Sequence, residues 1–174
     1  MSFTSLYPTP IWHLNKNKEH PSDSLSWALS IEKETSASIS NKGGFQSLGE
    51  TSFDKFPFFE YIKEKLSFLP PVEYGNWWVN INRKGNYNIA HTHPGTDLSV
   101  VWYLTNNFSS PIRFISPFQY ERSKLYALMG LHSEHIFKCD VGDILVFPGD
   151  LMHYVEQNES DEPRVTVSFN LKFS

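Results

Sequence analysis

After residue 74, the sequence is a series of short β-branched and aromatic segments separated by turn residues. Segments of this kind are typical of β-strands, and the Gly and Pro residues between them mark turns. The predicted strands are NWWVNINRK, LSVVWYLT, PIRFISP, HIFKCD, DILVFP and RVTVSFNLKF, together with one that ends in NYNIAHTHPG. About seven short, closely connected strands predict an antiparallel pair of sheets or a barrel.

Two helices are predicted before this region. Ser22 or Asp23 can cap the first, because the apolar residues of PSDSLSWALSIEKE follow at helical spacing. The second is predicted over 57–69, where apolar residues recur every three or four positions. The sequence therefore predicts one α+β domain, mainly β. In it, residues 1–72 form an N-terminal segment with two helices packed on one sheet, and 73–174 form the barrel core.

Composition and charge limit the kinds of partner that this protein is expected to bind and the compartment in which it is expected. A chain of 174 residues, 40% hydrophobic and 16% aromatic, can bury the core of one domain. Its net charge of −4 argues against nucleic acid, which is bound by clustered cations. A single cysteine fits a reducing cytosol, and no apolar stretch reaches the roughly 18 residues of a membrane span. Since the first residues also lack signal-peptide features, we expect a cytoplasmic protein that binds neither nucleic acid nor a membrane.

Two histidines, His91 and His93, stand two positions apart at the end of a predicted strand. Residues i and i+2 of a strand face the same side, so both imidazoles can reach one point. Pro94 and Gly95 end the strand and place the pair at a rim. His153 follows the strand and turn of GDILVFPGD, and it can complete a cluster of three imidazoles if the two strands are neighbours. Imidazole clusters of this kind suit first-row transition metals.

Arg164 lies eleven residues after His153 in the sequence. Arg164, Thr166 and Ser168 face one side of the last predicted strand. A guanidinium that points into a barrel is unfavourable unless it meets an anion. Because its fork of donors matches a carboxylate, the pattern predicts a carboxylate-bearing ligand near Arg164.

Several segments together resemble the Fe(II)/2-oxoglutarate-dependent oxygenases, and within them a family of small oxygenases from phages and marine bacteria. The similar segments cover nearly the whole chain: LYPTPIW, GGFQS, WVNINRKGNYNIAHTHPG, SVVWY and RVTVSFN. The resemblance implies a double-stranded β-helix (jelly-roll, cupin-like) fold. It also implies Fe(II) as cofactor, 2-oxoglutarate as cosubstrate and the hydroxylation of a small-molecule or peptide substrate.

The resemblance also implies roles for individual residues. His91 and His153 match the two histidine ligands of iron, and His93 occupies the position of the usual carboxylate ligand. Tyr103, Arg164 and Thr166 match residues that hold the distal carboxylate of 2-oxoglutarate. No catalytic residue is expected beyond these.

His93 departs from the family pattern, in which Asp or Glu is the third ligand. A carboxylate lowers the net charge of an Fe(II) site by one, and a third imidazole does not. Either His93 is a ligand or Asp97, four residues later, replaces it. Strand alternation favours His93, because Asp97 lies beyond the turn at Pro94 and Gly95.

A cupin-type metal protein, either an enzyme without 2-oxoglutarate or a non-catalytic binding module, is the alternative. Much of the two cupin motifs is matched by Gly85, His91, His93, Asp97, Gly142, Pro148 and His153. Arg164 and Thr166, which cupins do not require, favour the oxygenase.

Other features stay open in the sequence. Asn80 and Asn82 face the same way on one strand, where they can line the site or bond neighbouring backbone. The stretch 117–134 lies where a lid could form. Exposed edge strands are compatible with a homodimer, and the identity of the substrate is not readable.

Overall fold

The structure is a computed structural model that describes most of the chain. The residues described are 9–14, 20–33, 35–37, 39–117, 124, 128 and 133–174. Most of the predicted lid region, 117–134, therefore lies outside the described residues.

The described residues form two α-helices and eleven strands. The helices are α1 (Ser24–Ile31) and α2 (Phe59–Lys65). The strands are β1 (Trp12–Leu14), β2 (Asn41–Lys42), β3 (Phe45–Gln46), β4 (Val72–Asn82), β5 (Tyr87–His91), β6 (Leu98–Tyr103), β7 (Ile112–Ile115), β8 (Glu134–Phe137), β9 (Ile144–Pro148), β10 (His153–Val155) and β11 (Arg164–Phe173). Neither helix is long and apolar enough to cross a membrane, and the described part of the chain holds no other helix that is.

The strands build two antiparallel sheets. The larger sheet has the order β1-β9-β6-β11-β4-β3, and the smaller has the order β2-β5-β10-β7-β8. The strands β2 and β3 follow each other closely in the chain but belong to different sheets. β2 pairs with β5 in the smaller sheet, and β3 pairs with β4 in the larger sheet. This arrangement confirms the predicted α+β, mainly β fold.

The larger sheet is buried on both faces. Along β11, Val165, Val167 and Phe169 are fully buried and belong to the core that includes Ala28 of α1 and Ile62 of α2. The helices therefore pack on the outer face of this sheet, as predicted. Each helix is shorter than its predicted range, which extended over 57–69 for α2.

The inner face of the larger sheet is divided by polarity. On β6 and β9 it is apolar, where Val101, Leu145 and Phe147 pack against residues of the smaller sheet. On β4 and β11 it is polar, because the alternating positions there carry amides, hydroxyls and a guanidinium. This polar half of the barrel interior contains the candidate site.

The loop that carries His93 packs closely against the end of β9. The His93 amide donates to the Gly149 carbonyl at 2.7 Å, and the Gly149 amide donates to Asp97 O at 3.0 Å. A Cβ atom added to Gly149 would lie 2.4 Å from the carbonyl oxygen of Thr96, which is too close for any side chain.

We therefore expect Gly149→Ala to destabilise the fold by about 1–3 kcal/mol, because backbone rather than a flexible side chain must move. Urea unfolding followed by circular dichroism measures this change. Gly85→Ala provides a comparison. A Cβ there meets nothing within 4 Å, and the only strain is the positive φ of 84°. Equal stability of Gly149→Ala and wild type would contradict the close packing of this loop.

Candidate metal centre

Three imidazoles from two neighbouring strands and one loop meet at the polar end of the barrel. His91 ends β5 and lies directly opposite His153, the first residue of β10. Their ring centroids are 4.3 Å apart, and the His93 ring lies 5.2 Å from each of them. The prediction placed His93 within the strand, whereas β5 ends at His91 and His93 lies in the loop that follows. One ligating nitrogen from each ring lies within 4.8 Å of the others.

Hydrogen bonds fix the orientation of all three rings. Nδ1 of His91 donates to the Ile89 carbonyl at 2.7 Å, and Nδ1 of His153 donates to the Leu151 carbonyl at 2.8 Å. The His93 Nδ1 donates to Oδ1 of Asn170 at 2.8 Å. Since a protonated Nδ1 leaves the lone pair on Nε2, each ring presents Nε2 as an acceptor for a metal.

The environment keeps these imidazoles neutral. Burial lowers the pKa of His153 to about 3, with a smaller contribution from the neighbouring His91. Burial also lowers the pKa of His91 and of His93. At neutral pH no proton has to leave before these groups can coordinate a cation.

Asp97 lies away from this cluster. Its carboxylate is exposed and accepts a hydrogen bond from the backbone N–H of Phe173 at 2.9 Å. Its backbone pairs with Leu171 and Gly149. The structure thus brings His93, and not Asp97, to the other two histidines.

Arg164 points into the same cavity from β11. The residue is only 3% exposed. Its Nη1 donates to Thr166 Oγ1 at 3.4 Å and its Nη2 donates to the Tyr103 hydroxyl at 3.5 Å, both long contacts. Its Nε has no hydrogen-bond partner, and no carboxylate of the described residues pairs with it. A buried guanidinium in this state has hydrogen-bond donors that are not used within the described structure, and these can bind an anion.

The inner cavity connects the imidazoles with this guanidinium. It has a volume of about 30 Å³, and its lining includes the three histidines, Arg164, Thr166 and Asn80. Asn80 Oδ1 is buried and has no hydrogen-bond partner among the described residues. Asn82 instead bonds Asn41 and Asn88. The two asparagines therefore differ: Asn80 faces the site, and Asn82 is held by neighbouring side chains.

An outer cavity of about 190 Å³ opens beside His91 and His93. Its described lining carries amides, hydroxyls and apolar groups, and none of these lining residues is Asp, Glu, Lys or Arg. The amide nitrogens of Gln46 and Asn76 have no hydrogen-bond partner among the described residues. This wall offers hydrogen-bond donors without a net charge.

Sequence reasoning missed Asn170, which holds His93 and also donates to Asn76 Oδ1 at 2.9 Å. The signal was present. Arg164, Thr166 and Ser168 were placed on the inner face of the last strand, and Asn170 is the next residue in that series.

Two antiparallel sheets that enclose three clustered imidazoles and a buried guanidinium are the arrangement of a double-stranded β-helix protein with a candidate metal site. A family model described as "Putative 2OG-Fe(II) oxygenase" matches residues 76–170. The chain belongs to this family. No curated protein matches the chain.

Solved structures with the same fold are similar over most of the chain. SnoN, a non-heme alpha-ketoglutarate-dependent epimerase from nogalamycin biosynthesis, is 14% identical with a TM-score of 0.69, over 95% of this chain and 78% of its own. HygX from Streptomyces hygroscopicus, solved with nickel and 2-oxoglutarate, is 11% identical with a TM-score of 0.68, over 95% and 84%. EctD from S. alaskensis, with bound Fe, is 13% identical with a TM-score of 0.63, over 95% and 73%. At such identities these likenesses establish the fold.

Family membership confirms the resemblance seen in the sequence. The protein is an Fe(II)- and 2-oxoglutarate-dependent oxygenase, with iron as cofactor and 2-oxoglutarate as cosubstrate. A small-molecule substrate is consistent with this family. A cupin would have the same type of barrel, but the family model that matches this chain describes oxygenases.

Proposed function

We propose that this protein is a hydroxylase in which Nε2 of His91, His93 and His153 bind Fe(II). The observation that carries the proposal is one cavity lined by three oriented imidazoles and by an unpaired, buried Arg164. The donor set fits the metal, because neutral imidazole nitrogen is a ligand that Fe(II) accepts. Three protein ligands also leave the other positions of an octahedral metal open.

His93 is the better third ligand on the observed contacts. One ring nitrogen of His93 lies within 4.8 Å of those of the other two histidines, whereas the Asp97 carboxylate accepts a hydrogen bond from the backbone of β11 at the surface. A site of three imidazoles keeps the full charge of a divalent cation, which favours binding of an anionic cosubstrate.

Arg164, with Tyr103 and Thr166, is proposed to hold the distal carboxylate of 2-oxoglutarate. The free Nε and the two weakly bonded terminal nitrogens of Arg164 can all donate to a carboxylate. The Tyr103 hydroxyl is fully buried and stays protonated, because burial raises its pKa above the ordinary value. It can therefore donate a further hydrogen bond to the same carboxylate.

The bound Fe(II) and 2-oxoglutarate supply the oxidising chemistry, in which O₂ is consumed and 2-oxoglutarate is converted to succinate and CO₂. The chain itself positions the reactants. Arg164 would hold the carboxylate of the cosubstrate by charge, the three histidines would hold the metal, and the buried walls of β4, β6 and β11 would limit access of water.

The substrate is proposed to present an uncharged, oxygen-bearing group to the metal. The outer cavity lies beside His91 and His93 and carries the unbonded amide donors of Gln46 and Asn76. Burying a charged group against a wall that lacks a counterion is unfavourable. Compounds that accelerate succinate formation are expected to be neutral at the oxidised end, and a charged group at that end would contradict this assignment.

The experiment that tests the proposed function is an assay of purified protein with Fe(II), ascorbate and 2-oxoglutarate, followed for succinate. Metal-dependent succinate formation is expected. A folded protein that releases no succinate above its metal-free control contradicts the proposal. The predicted homodimer and cytoplasmic location remain predictions.

Asn170→Ala is expected to weaken metal binding by about 10- to 100-fold, because the His93 ring loses the acceptor that fixes its tautomer and orientation. Titration of Fe(II) or Ni²⁺ by calorimetry measures the effect. Asn86→Ala serves as a control, because Asn86 bonds the backbone N–H of Arg83 in an exposed turn remote from the imidazoles. Unchanged affinity of Asn170→Ala would show that His93 does not depend on this contact.

A further inference from the structure

A second cluster of metal-binding side chains lies beside Tyr103, whose backbone N–H donates to the Asp143 carbonyl and whose hydroxyl contacts the Cys139 thiol. His13 is in β1, Cys139 follows β8 and Asp143 precedes β9. One ligating atom of each residue lies within 4.8 Å of the others. None of the three lines the cavity that contains His91, His93 and His153.

The burial of the cluster is uneven. Cys139 is fully buried and Asp143 is 2% exposed, whereas the His13 side chain is 31% exposed. Nε2 of His13 lies 2.8 Å from Oδ2 of Asp143, which also accepts the backbone N–H of Asp140. A cation can therefore reach the buried thiol and carboxylate from the side that His13 covers, where water can supply a fourth ligand.

The donor types select the cation. One thiolate, one imidazole and one carboxylate form a set that Zn²⁺ accepts in tetrahedral sites, at roughly 2.0–2.3 Å from each donor atom. Thiolate favours Zn²⁺ over harder cations such as Mg²⁺ or Ca²⁺. The three-histidine cluster lacks a sulfur ligand, so the two sites differ in the metals they prefer.

A metal must displace the proton of the Cys139 thiol before it can bind the sulfur. Burial and the nearby Asp143 charge raise the pKa of Cys139 to about 12, so the free site holds a neutral thiol. On binding, the S–H proton leaves to solvent and a sulfur–metal bond forms, without any change of oxidation state. The negative charge of Asp143, which destabilises a free thiolate, stabilises the bound dication.

We propose that His13, Cys139 and Asp143 form a Zn²⁺ site that fastens β1 to the barrel. His13 is distant in sequence from Cys139 and Asp143, and β1 forms three residue pairs with β9 while its Trp12 and Leu14 pack against the core. A cation that binds these ligands only in the folded state links the N-terminal strand to the core and stabilises the fold. This proposal does not depend on the proposed function.

The test uses the fact that the chain contains one cysteine. Full-length, metal-free protein is titrated anaerobically with Co²⁺ as a spectroscopic substitute for Zn²⁺. A thiolate-to-cobalt charge-transfer band reports only the Cys139 site, because the three-histidine cluster has no sulfur. We expect the band to saturate at one thiolate-bound Co²⁺ per chain and to disappear when Zn²⁺ is added.

Variants separate the two metal sites. His153→Ala is expected to keep the band, and Cys139→Ser is expected to abolish it. His13→Ala, at a partly exposed position that should tolerate the change, is expected to weaken Co²⁺ binding at least about tenfold, while His20→Ala should not. In the His153→Ala background, which removes one ligand of the three-histidine cluster, Zn²⁺ at about 100 times its Kd should raise the Tm by roughly 5–10 °C, and adding Cys139→Ser to that background should abolish the rise. The absence of a thiolate band in folded wild-type protein overturns the proposal, as does a band that His13→Ala and Asp143→Asn leave unchanged.

Discussion

His153→Ala is expected to lose iron and to lower metal-dependent succinate formation by more than about 100-fold. His153 is 3% exposed and lies opposite His91, and its loss leaves two of the three clustered imidazoles. Loss of residues that merely orient a ligand already weakens metal sites by about 10- to 100-fold, and loss of the ligand itself should have the larger effect. Iron content after desalting and the initial rate of succinate formation measure the result.

The matched control is His135→Ala. His135 lies in β8, is exposed and is not one of the clustered imidazoles. This variant should keep both iron and activity. Circular dichroism must first show that the His153→Ala protein is folded. If the folded variant then keeps wild-type iron content and turnover, the three histidines do not form the metal site.

Arg164→Met is expected to raise the Kd of 2-oxoglutarate by roughly 30- to 700-fold, which corresponds to about 2–4 kcal/mol. The reason is the loss of several charge-assisted hydrogen bonds to a carboxylate in a buried pocket. Iron binding should be unchanged, because a guanidinium has only hydrogen-bond donors and no lone pair with which to bind a metal. Anaerobic calorimetry of the metal-loaded protein with 2-oxoglutarate measures the change.

The Arg164→Met variant is also expected to affect stability, and this effect is favourable whereas its effect on cosubstrate affinity is unfavourable. Without cosubstrate, Arg164 is a buried charge with an unpaired Nε, and an apolar side chain of similar length removes that penalty. The Tm of cosubstrate-free Arg164→Met should therefore equal or exceed that of wild type. Arg83→Met, which breaks an exposed pair with Glu32, should change neither cosubstrate affinity nor stability appreciably. A large loss of stability with unaltered 2-oxoglutarate affinity would mean that Arg164 serves the fold and not the cosubstrate.

The sequence predicts the parts of this fold that depend on local pattern. Alternation along RVTVSFN places Arg164 on the inner face of the sheet and Val165 on its outer face. In the structure Arg164 lines the inner cavity and Val165 packs in the core with the helices. The position of the two helices on one sheet was also readable, whereas the predicted order of helices before strands was wrong, because β1 precedes α1 and β2 and β3 lie between the helices. The family pattern added the fold type, which alternation cannot distinguish from other antiparallel architectures.

Other features depend on contacts that no local pattern encodes. The two-residue strands β2 and β3 are too short to show alternation, and they exist because they pair with β5 and β4. The convergence of His13 with Asp143 follows from the register of β1 on β9, which depends on tertiary packing. The choice between His93 and Asp97 likewise depends on how the loop after β5 packs against Gly149.

The most direct measurement is a crystal structure of the protein with Fe(II) and 2-oxoglutarate, grown without oxygen. We expect the metal at bonding distance, about 2.1 Å, from Nε2 of His91, His93 and His153. We also expect the distal carboxylate of 2-oxoglutarate on the guanidinium of Arg164. Iron bound through Asp97 in place of His93, or a cosubstrate carboxylate that lies away from Arg164, would contradict this expectation.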